Sequence, residues 1–439
     1  MKKITPWKCL FVGSSLLVVS FSGVANPVVD NVVANGLAHG DLITIQGKGF
    51  GTKSQAAPVL YDFGAVTYEN GKLSSKQSGF ADFQEVSRDG VGGVWAKPSS
   101  GAFGSSIPAV TFSRDKRFKE APSHYYFTGK IGFLGWPNAY GGADTPVDNK
   151  QLYVAWWYKP KYDPRYYWVF PISNLKGKFI EEGANSFGEK LTVSSGVTGQ
   201  VIKVENGQIH AIFDGQINKN NLAGMVVKGS RSGASADLAT SGYLTPGSNK
   251  YIRVWEDPQG KEGIRVSWTQ NQITGGPSSS WVYAPIKVGE WNLMELMLDT
   301  DTGKLQARVN SKHLTDYDLG TNPDIKGKYS PTIGLIGFDG SSQTSQEHEI
   351  SEIYMDSSLQ RVVIGNAETF DKVTHYEIQM PVKWQDNRVE AKLNLGTLSK
   401  TSNLYVYVFD KNGVVNNRGY ALCDDCQAPP VAPVLKVSN

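Results

Sequence analysis

Residues 291–310 read WNLMELMLDTDTGKLQARVN. Leu293, Glu295 and Met297 alternate against Met294, Leu296 and Leu298. The run breaks at 299–303 (DTDTG), and alternation resumes at Leu305, Ala307 and Val309. A two-residue period is that of a strand, and Asp with Gly supplies a turn, so the stretch predicts a β-hairpin. Runs of the same kind lie at 251–255, 263–268, 332–338 and 349–356, and upstream at 109–112, 123–128, 151–158 (QLYVAWWY) and 166–170 (YYWVF). Helical periodicity of useful length is absent between them. The pattern predicts an all-β chain built from stacked antiparallel sheets.

At 439 residues the chain exceeds one ordinary core, which predicts two domains, one of them large. Hydrophobic residues at 40% against 19% charged describe a folded polypeptide. Lys and Arg (44) nearly balance Asp and Glu (41), so no basic stripe argues for a nucleic-acid partner. Lys2 and Lys3 precede an apolar run at 9–21 (CLFVGSSLLVVSF) and the small residues Gly23, Val24 and Ala25. That order predicts a signal peptide at 1–25, cleaved after Ala25, and a secreted or cell-surface protein. The run is short of the roughly 20 apolar residues that a bilayer requires, and no later stretch predicts a membrane span. Cleavage leaves Cys423 and Cys426 in LCDDCQAPP as the cysteines of the mature chain. In an exported protein such a pair is expected to form a disulfide, with a surface attachment or a redox or metal role as the alternatives.

Residues 27–53 (PVVDNVVANGLAHGDLITIQGKGFGTK) contain two β-rich runs leading into Gly47, Gly49, Phe50 and Gly51. This resembles the opening of an IPT/TIG immunoglobulin-like domain. Four further strand-like runs from Gln360 onward, QRVVIGNAETF, HYEIQMPVKW, RVEAKLNLG and NLYVYVFDKNG, resemble the later strands of the same domain. The resemblance implies one small immunoglobulin-like sandwich split by an insertion, a cheap event where loop ends lie close together. Two separate incomplete caps are the alternative. The insert resembles concanavalin A-like jelly rolls in LYVAWWYKP followed by NLKGKFI, in the Trp291–Glu295 hairpin with DTGKL at its turn, and in EIYMDSSLQRV. The expected domains are therefore 26–56 and 360–426 for the two immunoglobulin-like parts and 57–359 for the jelly roll, followed by a Pro-rich tail at 427–439.

Jelly rolls host enzymes and binders alike, so function must come from the site. Trp156, Tyr158, Trp168, Tyr251, Arg253, Trp255, Arg265 and Trp268 fall on predicted strands and could form an aromatic and basic face. Sugar rings present apolar faces and hydroxyl rims that flat aromatics and fixed polar groups suit, and Arg adds attraction for glycan carboxylates. The competing assignment for each tryptophan is the core.

A glycosidase needs two carboxylates about 5–9 Å apart. The acidic run QEHEISEIYMD departs from the glucanase pattern, and strand parity sends Glu349 and Glu352 to opposite faces. Gln208 and His210 in GQIHAIF resemble the QIH strand of alginate lyases with this fold. That implies His210 as a base; Tyr251 and Arg253 with Lys176 form a second lyase set, so that the base would be His210 or a tyrosine and the group neutralising a uronate Arg253 or Lys176. The other histidines stand singly, without zinc spacing. Asp299, Asp301 and Gly303 suit either a structural calcium ion or a plain hairpin turn; no other cofactor is implied.

The leading expectation is a polysaccharide- or glycoconjugate-binding protein whose immunoglobulin-like part serves as a base or as a contact for a surface protein partner. A uronic-acid polysaccharide lyase and a structural surface or matrix protein are the alternatives. The sequence leaves catalysis open.

Overall fold

The computed structural model describes residues 26–58, 60–62, 116–119, 121, 150–163, 166–183, 186–215, 217–242, 285–299, 301–318, 348–400 and 403–422. It also describes the strand backbones at 66–69, 72–75, 85–86, 95–96, 110–113, 124–127, 132–137, 250–255, 265–269, 272–274, 282–283 and 332–338. The chain is all-β: helix among the described residues is confined to the 3₁₀ turns Lys219–Asn221 and Phe370–Lys372, and every strand pairing is antiparallel. The fold class read from the sequence, antiparallel β-sandwich, is the one observed.

The hairpin forms where the alternation places it. Strand Asn292–Asp299 pairs with Lys304–Val309 in the register Asp299↔Lys304 to Met294↔Val309. Asp299 Oδ1 accepts the backbone N–H groups of Asp301 (2.9 Å) and Thr302 (3.1 Å), so this carboxylate caps its own turn. The hairpin extends into an eight-stranded sheet. Asn292–Asp299 pairs on its other edge with Gln151–Pro160, which in turn pairs with His348–Asp356.

Both faces of this sheet's centre are buried. Tyr153, Ala155, Trp157, Leu293, Met297 and Tyr354 face one side; Val154, Trp156, Tyr158, Leu296 and Met355 face the other. Trp156 and Tyr158, expected on an exposed platform, are 1% and 2% exposed and belong to the core. A strand covered on both faces reads as a near-continuous apolar run, and parity alone cannot choose its outer side.

Strands from the two ends of the chain build a second, smaller sandwich. One four-stranded sheet runs Val28–Ala34, Leu42–Lys48, Arg388–Lys392, Met380–Gln385; the other runs Tyr376–Ile378, Arg361–Gly365, Leu404–Phe409, Tyr420–Leu422. Ile43, Ile45 and Phe50 share one core with Val362, Ile364, Val389, Val406 and Val408. The glycine bend closes on this core. A Cβ on Gly47 would lie 2.0 Å from the Val28 carbonyl oxygen, so only glycine allows the first strand's approach.

Alternation within the second sheet ties the two sandwiches together. Val363, Tyr407 and Phe409 point away from Val362, Val406 and Val408, onto the Tyr153–Trp157 face of the large sheet. Three buried charge clusters cross this contact. Lys53 Nζ meets Asp356 Oδ2 at 2.5 Å. Arg361 stacks on Phe409 and Tyr153, and Glu295 accepts the hydroxyls of Tyr153 (2.7 Å) and Tyr376. The third cluster surrounds Arg117.

Within the stretch expected to be jelly roll, residues 167–238 form a closed barrel of their own. Its order is Tyr167–Lys176, Gln208–Phe213, Thr198–Glu205, Lys190–Val193, Val226–Gly229, Ser235–Leu238, and the last strand pairs back onto the first. Closure leaves no free edge. Trp168 and Phe170 stack inside it (5.7 Å between centroids) beside Leu191, Val201 and Leu238. Trp168, the third residue expected on the sugar platform, is therefore barrel core, 6% exposed.

Candidate functional site

Arg117 sits on the 116–119 loop with its side chain fully buried and its guanidinium 3.9 Å above the Trp157 ring. Nη1 and Nη2 donate to Glu377 Oε1 (2.9 Å) and Oε2 (2.7 Å). Nη2 donates to Glu352 Oε1 (2.7 Å) and Nε to Glu352 Oε2. One fork thus meets two carboxylates, a geometry only arginine provides.

Glu352 reaches Arg117 through a local irregularity. The pairing of His348–Asp356 with Gln151–Pro160 shifts between Ala155 and Trp157, and Glu352 takes φ +48°. A β-bulge changes parity. Glu349, opposite Lys159, and Glu352, over Trp157, consequently share a face, which corrects the alternation-based expectation of opposite faces.

Burial pushes Glu352 up, with Arg117 opposing and Glu377 reinforcing the rise. For Glu377 burial also acts upward, but the Arg117 charge and the bonds from His375 and Arg117 outweigh it and hold the carboxyl down at about 2. The Arg117 guanidinium stays charged because its two carboxylates outweigh its desolvation.

Above this floor opens a cavity of about 220 Å³ lined by Trp157, Trp291, Leu293, Ser311, His375 and Thr397, with Lys287 and Glu290 at its rim. Each wall has a local cause. Asn292 donates to the carbonyls of Lys287 (2.8 Å) and Glu290 (2.8 Å) and accepts from Lys287 N (2.8 Å), which pins the rim loop. Asn310 (φ +50°) and Ser311 (φ +67°) form the two-residue turn between Lys304–Val309 and Lys312–Asp318, the double positive φ of a type I′ hairpin. Asn310 fixes that turn by accepting from Leu293 N (2.9 Å) and donating to Asn292 Oδ1 (3.0 Å).

His375 lies 5.5 Å from Trp157 between ring centroids, with Nε2 2.9 Å from Glu377 Oε1 and 3.2 Å from Thr397 Oγ1. Its Nδ1 has no protein partner among the described residues. Ser311 is 9% exposed, and its Oγ has no hydrogen-bond partner among the described residues. A buried hydroxyl without a partner is rare enough to mark a place for a ligand's polar group.

A larger cleft, about 780 Å³, lies beside Asn26–Asp30, Tyr405 and Arg418–Ala421. Several of its polar groups are paired: Arg418 with Glu368, Asn26 with Asn417, and Tyr420 with Asn31 beyond the lining. The smaller cavity is therefore the candidate site.

Of the residues expected from sequence to act as a lyase set, His210 and Lys176 are described, and they lie apart. His210 lies on the outer side of the barrel, 1% exposed, with Nδ1 3.0 Å from the Tyr167 hydroxyl, so it is no base facing a polymer. It pairs across from Val169, whereas Lys176, exposed, pairs with Ser235 seven residues farther along the same strand, about 20 Å away at strand rise. The side chains of Tyr251, Arg253, Trp255, Arg265 and Trp268, together with Cys423 and Cys426, lie outside the described residues. No group of three metal-binding side chains occurs among the described residues. Sequence pattern pointed to neither Arg117, Trp157, Ser311, His375 nor Glu377; only the odd parity of Trp157 against Trp156 and Tyr158 signalled a second aromatic face.

Burial, then the Lys203 charge, push the His210 imidazole down to about 4, with Glu205 opposing. A depressed folded value means stability is full above the unfolded value near 6.5 and is lost as pH falls from there to about 4. The loss amounts to about 3 kcal/mol. Asp356, lifted to about 6 chiefly by burial, slopes oppositely, losing stability as pH rises through that value. Urea unfolding at pH 7 and 4.5 should therefore differ more in the native protein than in His210→Gln; equal differences would contradict this burial.

No known family's model matches the chain, and no curated protein matches it. Among solved structures it is similar to domain 4 of AbnA, a GH43 extracellular arabinanase from Geobacillus stearothermophilus, in complex with arabinotriose (14% identity, 58% of this chain and 84% of that one, TM-score 0.19). It is likewise similar to alginate lyase A1-II′ of polysaccharide lyase family 7 (10%, 70% and 85%, TM-score 0.21) and to lectin II from Ulex europaeus (10%, 75% and 99%, TM-score 0.20), similarities too low to assign a site.

Proposed function

We propose that this is a secreted or cell-surface carbohydrate-binding protein that holds a sugar in the cavity between Trp291 and His375. The observation that carries the reading is a cavity with tryptophan in its wall, lined also by Ser311, whose buried hydroxyl has no hydrogen-bond partner among the described residues, and by an imidazole fixed by Glu377. Apolar ring faces and hydroxyl rims need that combination. The small sandwich acts as a split IPT/TIG-like base; the core shared by Ile45 and Val408 and the buried ion pairs across the contact support a rigid mount. The positive start, apolar run and small residues of 1–25 support export.

A uronate lyase fits these residues poorly. His210 is buried, and the guanidinium nearest the cavity already serves two carboxylates. The test is retention of the mature protein on a panel of neutral and acidic polysaccharides, beside Trp291→Ala and Ser311→Ala. Retention that falls about tenfold in both variants, roughly the effect of losing one good contact each, supports the site. Release of unsaturated sugar would make the protein a lyase, and no retention on any polymer would leave a structural surface protein.

A further inference from the structure

We infer that the end of the barrel around Glu189 is a peripheral membrane-contact surface that docks on an anionic bilayer face, independently of the cavity and of the carbohydrate reading. Glu189 gathers its parts. Oε1 holds Ile180 N, and Oε2 holds Arg231 N and Ser232 N, so the segment 175–180 and the loop 230–235 stand side by side at this end. The contact continues along both: a Cβ on Gly177 would lie 3.4 Å from Ala234 Cα, and Lys176 pairs with Ser235. Phe187, two residues before Glu189, has its carbonyl oxygen 3.5 Å from Arg231 Nη2.

Two properties coincide there. The first is apolar: Leu175, Ile180 and Phe187 are 49%, 40% and 80% exposed, and Phe187 is the most exposed large apolar side chain among the described residues. Neighbouring Phe179 and Leu191 already fill the barrel core, and bare apolar groups gathered around one loop mark a surface that something covers. The second is charge. Lys176, Lys178, Lys190, Lys228 and Arg231 are all exposed, and none forms an ion pair among the described residues. Lys176 and Lys228 flank Ser235 from its two neighbouring strands, about 10 Å apart at the usual strand spacing. Of the carboxylates on these segments, Glu189 serves the loop donors, Glu182 meets Tyr162 and Lys161, and Asp237 accepts from Asn174 (2.7 Å), which leaves Glu181 against five cations. A soluble acidic polymer would use the cations but has no need of the apolar side chains. An anionic bilayer uses both: Phe187, Ile180 and Leu175 enter the boundary between headgroups and acyl chains while the lysine and arginine heads stay with the phosphates.

The experiment is co-sedimentation of the mature protein with vesicles of phosphatidylcholine alone and of phosphatidylcholine mixed with phosphatidylglycerol. Binding to the mixed vesicles is expected to exceed binding to phosphatidylcholine by about tenfold or more and to weaken at high salt. Phe187→Ser, and separately Lys190→Gln with Lys228→Gln, are each expected to lower it about tenfold. All three positions are exposed, so thermal unfolding of these variants should match the native protein. Equal binding to both kinds of vesicle overturns the inference, as does binding to the mixed vesicles that survives both sets of changes. No vesicle binding, together with retention on dextran sulfate that falls only in the lysine variant, overturns it in favour of a soluble polyanion, and no binding to either overturns it outright.

Discussion

Arg117→Ala is expected to destabilise the contact between the two sandwiches by about 3–5 kcal/mol, the range for removing one partner of a buried ion pair. The size follows from what is left behind. Glu352 and Glu377 are 4% and 0% exposed and would face each other without the guanidinium. Glu377, held down at about 2 largely by Arg117, would have to take up a proton or draw water into the floor of the cavity. Trp157 would lose the cation stacked on its face at 3.9 Å. Arg117→Lys should recover only part of this, because an ammonium on a shorter stem cannot make the guanidinium's two bonds to each carboxylate. Arg117→Met combined with Glu352→Gln and Glu377→Gln should cost clearly less than Arg117→Ala alone, since it removes the uncompensated charge together with its partner. Denaturant unfolding of the three variants measures this; an Arg117→Ala protein within 1 kcal/mol of the native one would show that the cluster is solvated in solution.

How much of this site could be read from the sequence depended on the range of the interaction. The 291–310 hairpin was legible because both causes are local, the two-residue period of Leu293 to Leu298 and the Asp299 cap on its own turn. The all-β class followed from the same signal repeated along the chain. Burial on both faces was not legible: Trp156 and Trp157 are both covered, one by each side of the sheet, and alternation gives parity but no direction. The barrel was hidden for another reason. Its strands look like any others, and closure depends on Ile172 meeting Leu238, which no local pattern announces. Glu352 escaped because a bulge breaks the period on which parity rests. Arg117, Glu377 and His375 each stand alone in sequence and become a cluster only when the loop at 116–119, the large sheet and the small sandwich converge.

Glu189→Ala is expected to remove about 2–4 kcal/mol from the barrel, because one carboxylate there organises two loops and charge-assisted hydrogen bonds are worth about 1.5–3 kcal/mol each. Glu189 is 0% exposed. Oε1 accepts from Ile180 N (2.7 Å) and from the Ser232 hydroxyl (2.6 Å), and Oε2 from the N–H groups of Arg231 and Ser232 (both 2.9 Å). Truncation leaves three backbone donors without an acceptor; the loops carrying them reach solvent, which keeps the loss below the full sum. Glu189→Gln should be nearly as harmful, since an amide nitrogen in place of either oxygen faces at least one N–H head-on. Gly229→Ala is an independent probe: its new Cβ would fall 2.5 Å from Oε1 and displace a carboxylate left chemically intact. Burial alone would raise the Glu189 carboxyl, but the Ser232 hydroxyl and the backbone donors hold it down at about 2. Its contribution is therefore full above the ordinary value near 4.5 and is lost as pH falls toward 2. Acid unfolding followed by tryptophan fluorescence in a protein whose other tryptophans are replaced by phenylalanine, so that Trp168 alone reports, should show the native barrel losing stability across that window while Glu189→Ala, already without the carboxylate, changes less. Parallel acid profiles would mean that Glu189 is not the ionised cap of these loops.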